Sequence, residues 1–358
     1  MSSKRPIRVM IVEDERVVRL LLEHIIGDDP RLEVVASVGS GEEALETLPK
    51  VKPDVISLDI RLPGINGFEV TRRVMSEHPT PIVVVSASVQ AEDLRISMNA
   101  LRAGALSVVE KPVGVTSSAY SEMADRLCRN LMLMSDVRIV RQRNQSPQAR
   151  KPVAVRPPPS SCSSNERDYR LLGLVASTGG PNALVEVLKC LGPEYPLPIA
   201  LVQHITASFL EGFAAWLSEV SRFKVEIVSS PADMVPGCIY LAPADRHLEV
   251  IGHRAIAVDA PKVSSQRPSG TVLFRSMART VARRGIGVLL TGMGDDGAEG
   301  LLALREAGGH TIAENEATAV VYGMPKAAFN LGAVEEQLPL HKIGPRLKNL
   351  TDSVRVLS

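Results

Sequence analysis

Aromatic residues are scarce in this 358-residue chain: one Trp, five Tyr and six Phe, 3% of the sequence. Hydrophobic residues nevertheless make up 45% of it. Its cores must therefore be aliphatic, as in the Val/Ile/Leu-rich strands of parallel sheets. Cysteine is also rare. Cys128, Cys162, Cys190 and Cys238 stand far apart with no paired spacing, which speaks against a disulfide framework or a zinc site. Neither sign of charge dominates: 41 Lys and Arg face 40 Asp and Glu, for a net charge of +1. Nothing in that balance calls for nucleic acid or an anionic membrane as partner. No apolar run approaches the roughly 20 residues that span a bilayer. The opening Met-Ser-Ser-Lys-Arg-Pro has no signal-peptide character. A soluble, cytoplasmic, reducing setting without membrane insertion is the expectation, and the length suggests about two domains.

What the chain does have is alternation. Ile7–Val12, Leu32–Ser37, Val55–Leu58, Pro81–Ser86 and Ala105–Val109 read as strands, with amphipathic stretches such as Arg16–Ile26 between them. From Arg170 the pattern resumes, with strand candidates Leu171–Ala176, Ile199–Gln203, Cys238–Ala242, Ile286–Thr291 and Thr311–Ala313. Such alternation predicts an α/β protein of two doubly wound, mostly parallel sheets. Domains are expected at residues 6–130 and 170–358. Residues 136–168, rich in Arg, Gln, Ser and Pro, carry seven Lys or Arg against three Asp or Glu and no apolar periodicity, and read as a linker.

Ligands of open parallel sheets sit beyond the carboxyl ends of the strands. In the first domain those ends carry Glu13 and Asp14, then Asp59, Ser86 and Lys111-Pro112. Three clustered carboxylates repel one another unless a hard divalent cation such as Mg2+ sits among them. An aspartate so placed, with an ammonium and a hydroxyl nearby, is suited to accept a phosphoryl group.

In the second domain the strand Leu171–Ala176 ends on Ser177, followed by Thr178-Gly179-Gly180-Pro181. The glycines permit a sharp turn and Pro181 suits the first turn of a helix, so the hydroxyl lies over the positive end of a helix dipole. His204 follows the strand Ile199–Gln203, and the segment Thr291-Gly-Met293-Gly-Asp295-Asp296-Gly297 follows another strand. A serine, a histidine and a carboxylate brought together make an activated nucleophile. Position alone leaves His247 open as a rival to His204, one able to bind substrate, and does not choose between Asp295 and Asp296. Cys190, in a predicted helix among apolar residues, reads as packing. The Ser…His…Asp order and the lack of a G-x-S-x-G elbow argue against an ordinary lipase or esterase fold.

Two resemblances sharpen this reading. Residues 6–130, with the acidic pair, Asp59, Leu62-Pro63, Asn66-Gly67, Ser86 and Lys111-Pro112, resemble the receiver domain of two-component response regulators. The resemblance implies phosphorylation of Asp59 by a histidine kinase. It also implies Mg2+ held by Glu13, Asp14 and Asp59, with Ser86 and Lys111 contacting the phosphoryl group. Val108 stands where many receivers carry an aromatic, so the usual aromatic coupling to Ser86 is not expected.

The motifs Ala176-Ser-Thr-Gly-Gly180, Gln203-His204, Tyr240-Leu-Ala-Pro243, Arg267-Pro-Ser269, Val272-Leu-Phe274, Thr291–Gly297 and Gly323-Met-Pro325 resemble the catalytic domain of the CheB family. These are chemotaxis protein-glutamate methylesterases. That resemblance implies Ser177 as nucleophile, His204 as general base and acid, and Asp296 as the orienting carboxylate. It places Thr178 and Met293 at the oxyanion site. Implied partners are a chemotaxis histidine kinase and the cytoplasmic methylated helices of chemoreceptors, with no cofactor in the esterase step. Asp295 replaces a common asparagine, and adjacent carboxylates raise one pKa. Gln266 and Thr271 depart from a common His and Asp, which points to altered receptor choice rather than altered chemistry. The rival function is a receiver-regulated receptor-binding module without turnover, or the same enzyme in a non-motility pathway.

Overall fold

The computed structural model describes residues 5–86, 98–101, 103–112, 120–137 and 168–352. Most of the expected linker, residues 138–167 with Cys162, lies outside them.

The first unit is built from β1 (Ile7–Val12), α1 (Arg16–Gly27), β2 (Leu32–Val38), α2 (Gly41–Val51), β3 (Val55–Asp59), α3 (Gly67–Glu77), β4 (Ile82–Ser86), β5 (Ser107–Glu110) and α4 (Tyr120–Ser135). Its five strands form a parallel sheet in the order β2-β1-β3-β4-β5. Every residue of β3 and β4 is buried, as expected of strands covered on both faces. Side-chain caps start two of the helices: Ser40 Oγ accepts from Glu43 N–H and Asn66 Oδ1 from Glu69 N–H, each satisfying a free amide of the first turn. Chain order reverses between β1 and β3, where Val12 pairs with Leu58. This crevice is where ligands of such sheets bind.

The second unit comprises β6 (Leu171–Ala176), α5 (Gly180–Leu191), β7 (Ile199–Gln203), α6 (Ala207–Ser221), β8 (Lys224–Ile227), β9 (Ala232–Asp233), β10 (Cys238–Leu241), β11 (His247–Ile251), β12 (Arg254–Val258), α7 (Gly270–Thr280), β13 (Gly285–Leu289), α8 (Ala298–Glu306), β14 (His310–Glu314), α9 (Met324–Asn330), β15 (Glu336–Leu338) and α10 (Leu340–Thr351). Seven strands form a parallel sheet in the order β15-β14-β13-β6-β7-β10-β8. The five expected strands occupy its centre, with ends shifted by up to two residues.

The expectation missed the edge strands β8 and β15, which are short and carry Lys224, Glu226 and Glu336. It also missed a small antiparallel sheet, β11-β12-β9, whose hairpin turns at Gly252 with φ 62°. The first unit's core is aliphatic, with Ile11, Leu58 and Val84 buried. The second unit adds buried Tyr195, Phe209, Phe213, Phe223, Tyr240 and Phe274 to Leu174, Leu201 and Val288, so the expectation of aliphatic cores fails there. Each such aliphatic side chain contributes about 1.5–3 kcal/mol through burial. One contiguous apolar cluster contains residues of both units, among them Leu101 and Leu184, and Asn182 Nδ2 donates to Leu101 O at 2.7 Å. Among the described residues no helix is long and apolar enough to cross a membrane.

Candidate active site

The register of three central strands assembles the site of the second unit. Ala176 pairs with Gln203 across β6 and β7, so the next residues, Ser177 and His204, leave adjacent strand ends side by side. His204 N–H donates to Ala176 O at 3.1 Å. On the other flank Val175 pairs with Leu289 of β13, and Ser177 N–H donates to Thr291 O at 3.0 Å. After Ser177 the chain reverses at Gly179, φ 77°, into α5 with Pro181 in its first turn. Sheet order also reverses between β6 and β13, so the serine turn occupies a switch point.

The loop after β13 turns through Gly294 and Gly297, both left-handed, and carries Asp296 inward while Asp295 and Met293 face solvent. Asp296 is 2% exposed, and its Oδ2 lies 2.9 Å from His204 Nε2. Ser269 Oγ donates to Asp296 Oδ1 at 2.5 Å, and the amides of Gly270 and Thr271 donate to the same carboxylate at 2.6 and 3.2 Å. Those amides open α7, so the charge also sits at a positive helix end. Burial opposes ionisation of Asp296, but hydrogen bonds from His204, Ser269 and Gly270 outweigh it and hold the carboxyl below the usual carboxylate range. The rise expected of adjacent carboxylates therefore does not fall on Asp296.

His204 Nδ1 is buried and has no hydrogen-bond partner among the described residues. With Nε2–H turned to Asp296, the lone pair of Nδ1 remains as a base.

Two sequence expectations are corrected. His247 is 0% exposed; it does not reach the cleft. Its Nδ1 accepts from Ser269 N–H at 3.2 Å and its Nε2 lies 2.9 Å from Pro261 O, so it braces the residue that holds Asp296. Thr271 is buried as well. It donates to Asp296 and accepts from Gly297 N–H at 2.8 Å, which makes it part of the carboxylate cradle rather than a receptor-facing surface. Cys190 is half-buried in the last turn of α5, in keeping with packing.

Residues that sequence reasoning passed over complete the site. Thr291 joins three segments: its carbonyl takes the Ser177 amide, and its Oγ1 donates to Thr178 O and accepts from Val321 N–H, both at 2.9 Å. Gly292 is needed for close approach, since a Cβ there would stand 2.7 Å from Ser177 Cβ. Glu314, at the end of β14, is 0% exposed and accepts from Thr291 N–H at 2.9 Å. Desolvation pushes its pKa from 4.5 up to about 7. The Thr-Gly pair at 291–292 was visible as a motif, but the partners of Thr291 and Glu314 come from other strands. A cavity of about 910 Å³ opens at the opposite, amino ends of these strands, lined in part by Arg170, Pro198 and Arg284. None of the site residues borders it.

In the first unit Glu13, Asp14 and Asp59 converge, each offering a carboxylate oxygen within 4.8 Å of the others. Lys111 Nζ lies 2.9 Å from both Glu13 and Asp59. Burial, then the Asp59 charge, raise Glu13 to about 7 despite Lys111. Burial likewise raises Asp59 against the pull of Lys111. One ammonium thus undercompensates three acids, and the all-oxygen donor set suits a hard divalent cation. Ser86 ends β4 one strand away and is buried. Val108 is half-buried in β5.

Family models match the chain twice: "Response regulator receiver domain" over residues 9–117 and "CheB methylesterase" over residues 172–347. A relative from Paramagnetospirillum magneticum, a protein-glutamate methylesterase/protein-glutamine glutaminase, is 52% identical over 97% of this chain and 98% of its own. The chain belongs to the CheB methylesterase family. A Myxococcus xanthus member with the same name is 40% identical over 96% of both chains. The CheB methylesterase catalytic domain of Thermotoga maritima, a solved structure, is 32% identical, with a TM-score of 0.49, over 51% of this chain and 98% of its own. In this CheB-family chain the receiver precedes the methylesterase unit, as the sequence led one to expect.

Proposed function

We propose that the protein is a phosphorylation-regulated serine hydrolase. It removes methyl esters from glutamate side chains of chemoreceptors, and deamidates receptor glutamines, in chemotaxis adaptation. The observation that carries this reading is the His204–Asp296 contact at 2.9 Å, with Asp296 cradled by Ser269, Gly270 and Thr271 beside the Ser177 turn.

In this reading Ser177 Oγ attacks the ester carbonyl carbon while His204 Nδ1 takes the hydroxyl proton. The oxyanion is held by amides of the Ser177–Gly180 turn and the loop around Met293, with Thr178 at its edge. The C–O bond to the methoxy group then breaks, and His204 returns its proton so that methanol leaves. Water, deprotonated by His204, attacks the acyl-serine; carboxylate and free serine result. For glutamine the leaving group is ammonia, poorer than methanol, so protonation by His204 counts for more. Asp296 orients the ring and stabilises its charged form.

The receiver is taken as residues 6–130, the linker as 136–168 and the catalytic domain as 170–358. Asp59 would accept a phosphoryl group from a phosphohistidine of the cognate kinase: an Asp59 oxygen bonds phosphorus and the P–N bond breaks. Lys111 pairs with the phosphoryl oxygens and Ser86 donates to one. Glu13, Asp14 and Asp59 would hold Mg2+, which supplies positive charge against the incoming phosphoryl group. The contact of Asn182 with Leu101, two residues beyond the start of α5 and five beyond Ser177, supports a receiver that lies over the esterase cleft and is loosened by phosphorylation.

The test is methanol release from methylated receptor membranes, comparing wild type with Ser177→Ala, with and without a small phosphodonor and Mg2+. Ser177-dependent release that rises with phosphodonor is expected. No release by folded protein on competent receptors would leave the esterase reading without support and favour a binding module.

A further inference from the structure

Gln203 is the last residue of β7 and is 5% exposed. Its Nε2 donates to the carbonyl oxygen of Ser177 at 2.9 Å and to that of His204 at 3.1 Å. Both partners are pure acceptors, so the amide nitrogen must face them; the opposite orientation would set three oxygens together. The two N–H bonds of one planar amide thus tie the backbone of Ser177 on the β6 side to that of His204 on the β7 side.

The tie has a cost. Gln203 Oε1 is buried with no hydrogen-bond partner among the described residues, and it packs so tightly on Gly180 that a Cβ there would collide with it. An orphaned buried acceptor is destabilising, because it gives up water without gaining a donor. An aliphatic side chain of the same length would avoid that penalty but leave the Ser177 and His204 carbonyls without these donors, so what the amide adds here is the tie between the two backbones.

We propose that Gln203 is a positioning residue of the esterase, one that fixes the spacing between the Ser177 hydroxyl and His204 Nδ1. The proposal rests on the reading of Ser177 as nucleophile and His204 as base. Gln203 touches neither substrate nor reacting atom; it acts through the two carbonyls. A misplacement of about 1 Å at reacting groups costs on the order of 10²-fold in rate, so loosening the tie lowers kcat and leaves KM nearly unchanged.

The experiment uses the full chain and two variants, Gln203→Met and Gln203→Glu. Three quantities are read: the rate at which a fluorophosphonate labels Ser177, kcat and KM for methanol release, and the melting temperature. Gln203→Met should label about 10- to 100-fold more slowly and lose kcat in parallel. Its KM should stay within about threefold, and it should remain folded at the assay temperature. Gln203→Glu regains one donor when its carboxyl is protonated, so its labelling rate relative to wild type should climb as pH falls. A well-folded Gln203→Met protein that labels at the wild-type rate overturns the proposal. So does a loss that equals the fraction unfolded, or a Gln203→Glu ratio that ignores pH. If wild type itself does not label at Ser177, the nucleophile assignment falls first, and the proposal with it.

Discussion

Ser269 and Asp296 are joined by the shortest bond in the cradle, Oγ to Oδ1 at 2.5 Å, and His247 stands behind it with its Nδ1 on the Ser269 amide. A chain of hydrogen-bonded residues therefore runs from the carbonyl of exposed Pro261 through buried His247, Ser269 and Asp296 to His204. Removing Ser269 Oγ takes a hydrogen bond from a charged group, worth about 1.5–3 kcal/mol. Ser269→Ala should accordingly lower kcat for methanol release by about 10- to 100-fold. His247→Ala should act in the same direction through the Ser269 backbone and also lower the melting temperature. A Ser269→Ala enzyme with wild-type kcat would dissolve the link between this chain and catalysis.

The two adjacent aspartates should separate cleanly. Asp296→Asn leaves the geometry but favours the wrong imidazole tautomer, and loss of about 10³- to 10⁴-fold in kcat is expected. Asp295 faces solvent, and Asp295→Asn should stay within about threefold of wild type. Equal effects at both positions would contradict the assignment of Asp296.

Glu314 gives stability a pH signature. Its folded pKa, about 7, lies above the unfolded 4.5. Between those values the folded protein keeps a proton that the unfolded chain releases, so this group's contribution is full below pH 4.5 and is lost as pH rises toward 7. Glu314→Gln removes that loss. Relative to wild type, the variant should gain up to about 3 kcal/mol between acid and mildly alkaline pH, read by urea unfolding at both ends. A margin that does not change with pH would sink the assignment.

Mg2+ should raise the melting temperature of the full chain, since a ligand bound only by the folded state stabilises by mass action, about 1–3 kcal/mol at saturating concentration. Asp14→Ala, which removes the exposed member of the cluster, should abolish the shift and reduce labelling of Asp59 by a small phosphodonor. A Mg2+ response that survives in Asp14→Ala would place the cation elsewhere.

Removing residues 1 to about 150 should raise basal esterase activity. A coupling of about 1–3 kcal/mol corresponds to a change between several-fold and a hundredfold. Asn182→Ala in the full chain, which deletes the bond to Leu101 O, should move the rate part of the way. An unchanged or lower rate in a folded fragment would refute the covering role of the receiver.

Much of this molecule could be read from local pattern. Apolar runs announced ten strands, among them those that stop at Glu13, Asp59, Ser86, Ser177 and His204, because a buried parallel strand is continuously apolar and stops where polar groups begin. The Gly179-Gly180-Pro181 turn was legible too, since its residues match its backbone. The strands that escaped, β8, β9, β11, β12 and β15, are short or carry charges, and only pairing with distant neighbours makes them strands.

By itself, then, the sequence determined the two-sheet organisation, the chemistry available at each strand end and the order of the motifs. Strand-end position left His247 and Asp295 open beside His204 and Asp296, and the motif resemblance chose the latter pair. Tertiary structure added the 2.9 Å contact between them, turned Thr271 from a surface residue into a carboxylate donor, and put Gln203 across Ser177 and His204. The physical reason is that burial and hydrogen-bond partnership are properties of strand register and long-range contact. A residue's type limits what it is able to donate or accept, but only the fold supplies the group that meets it.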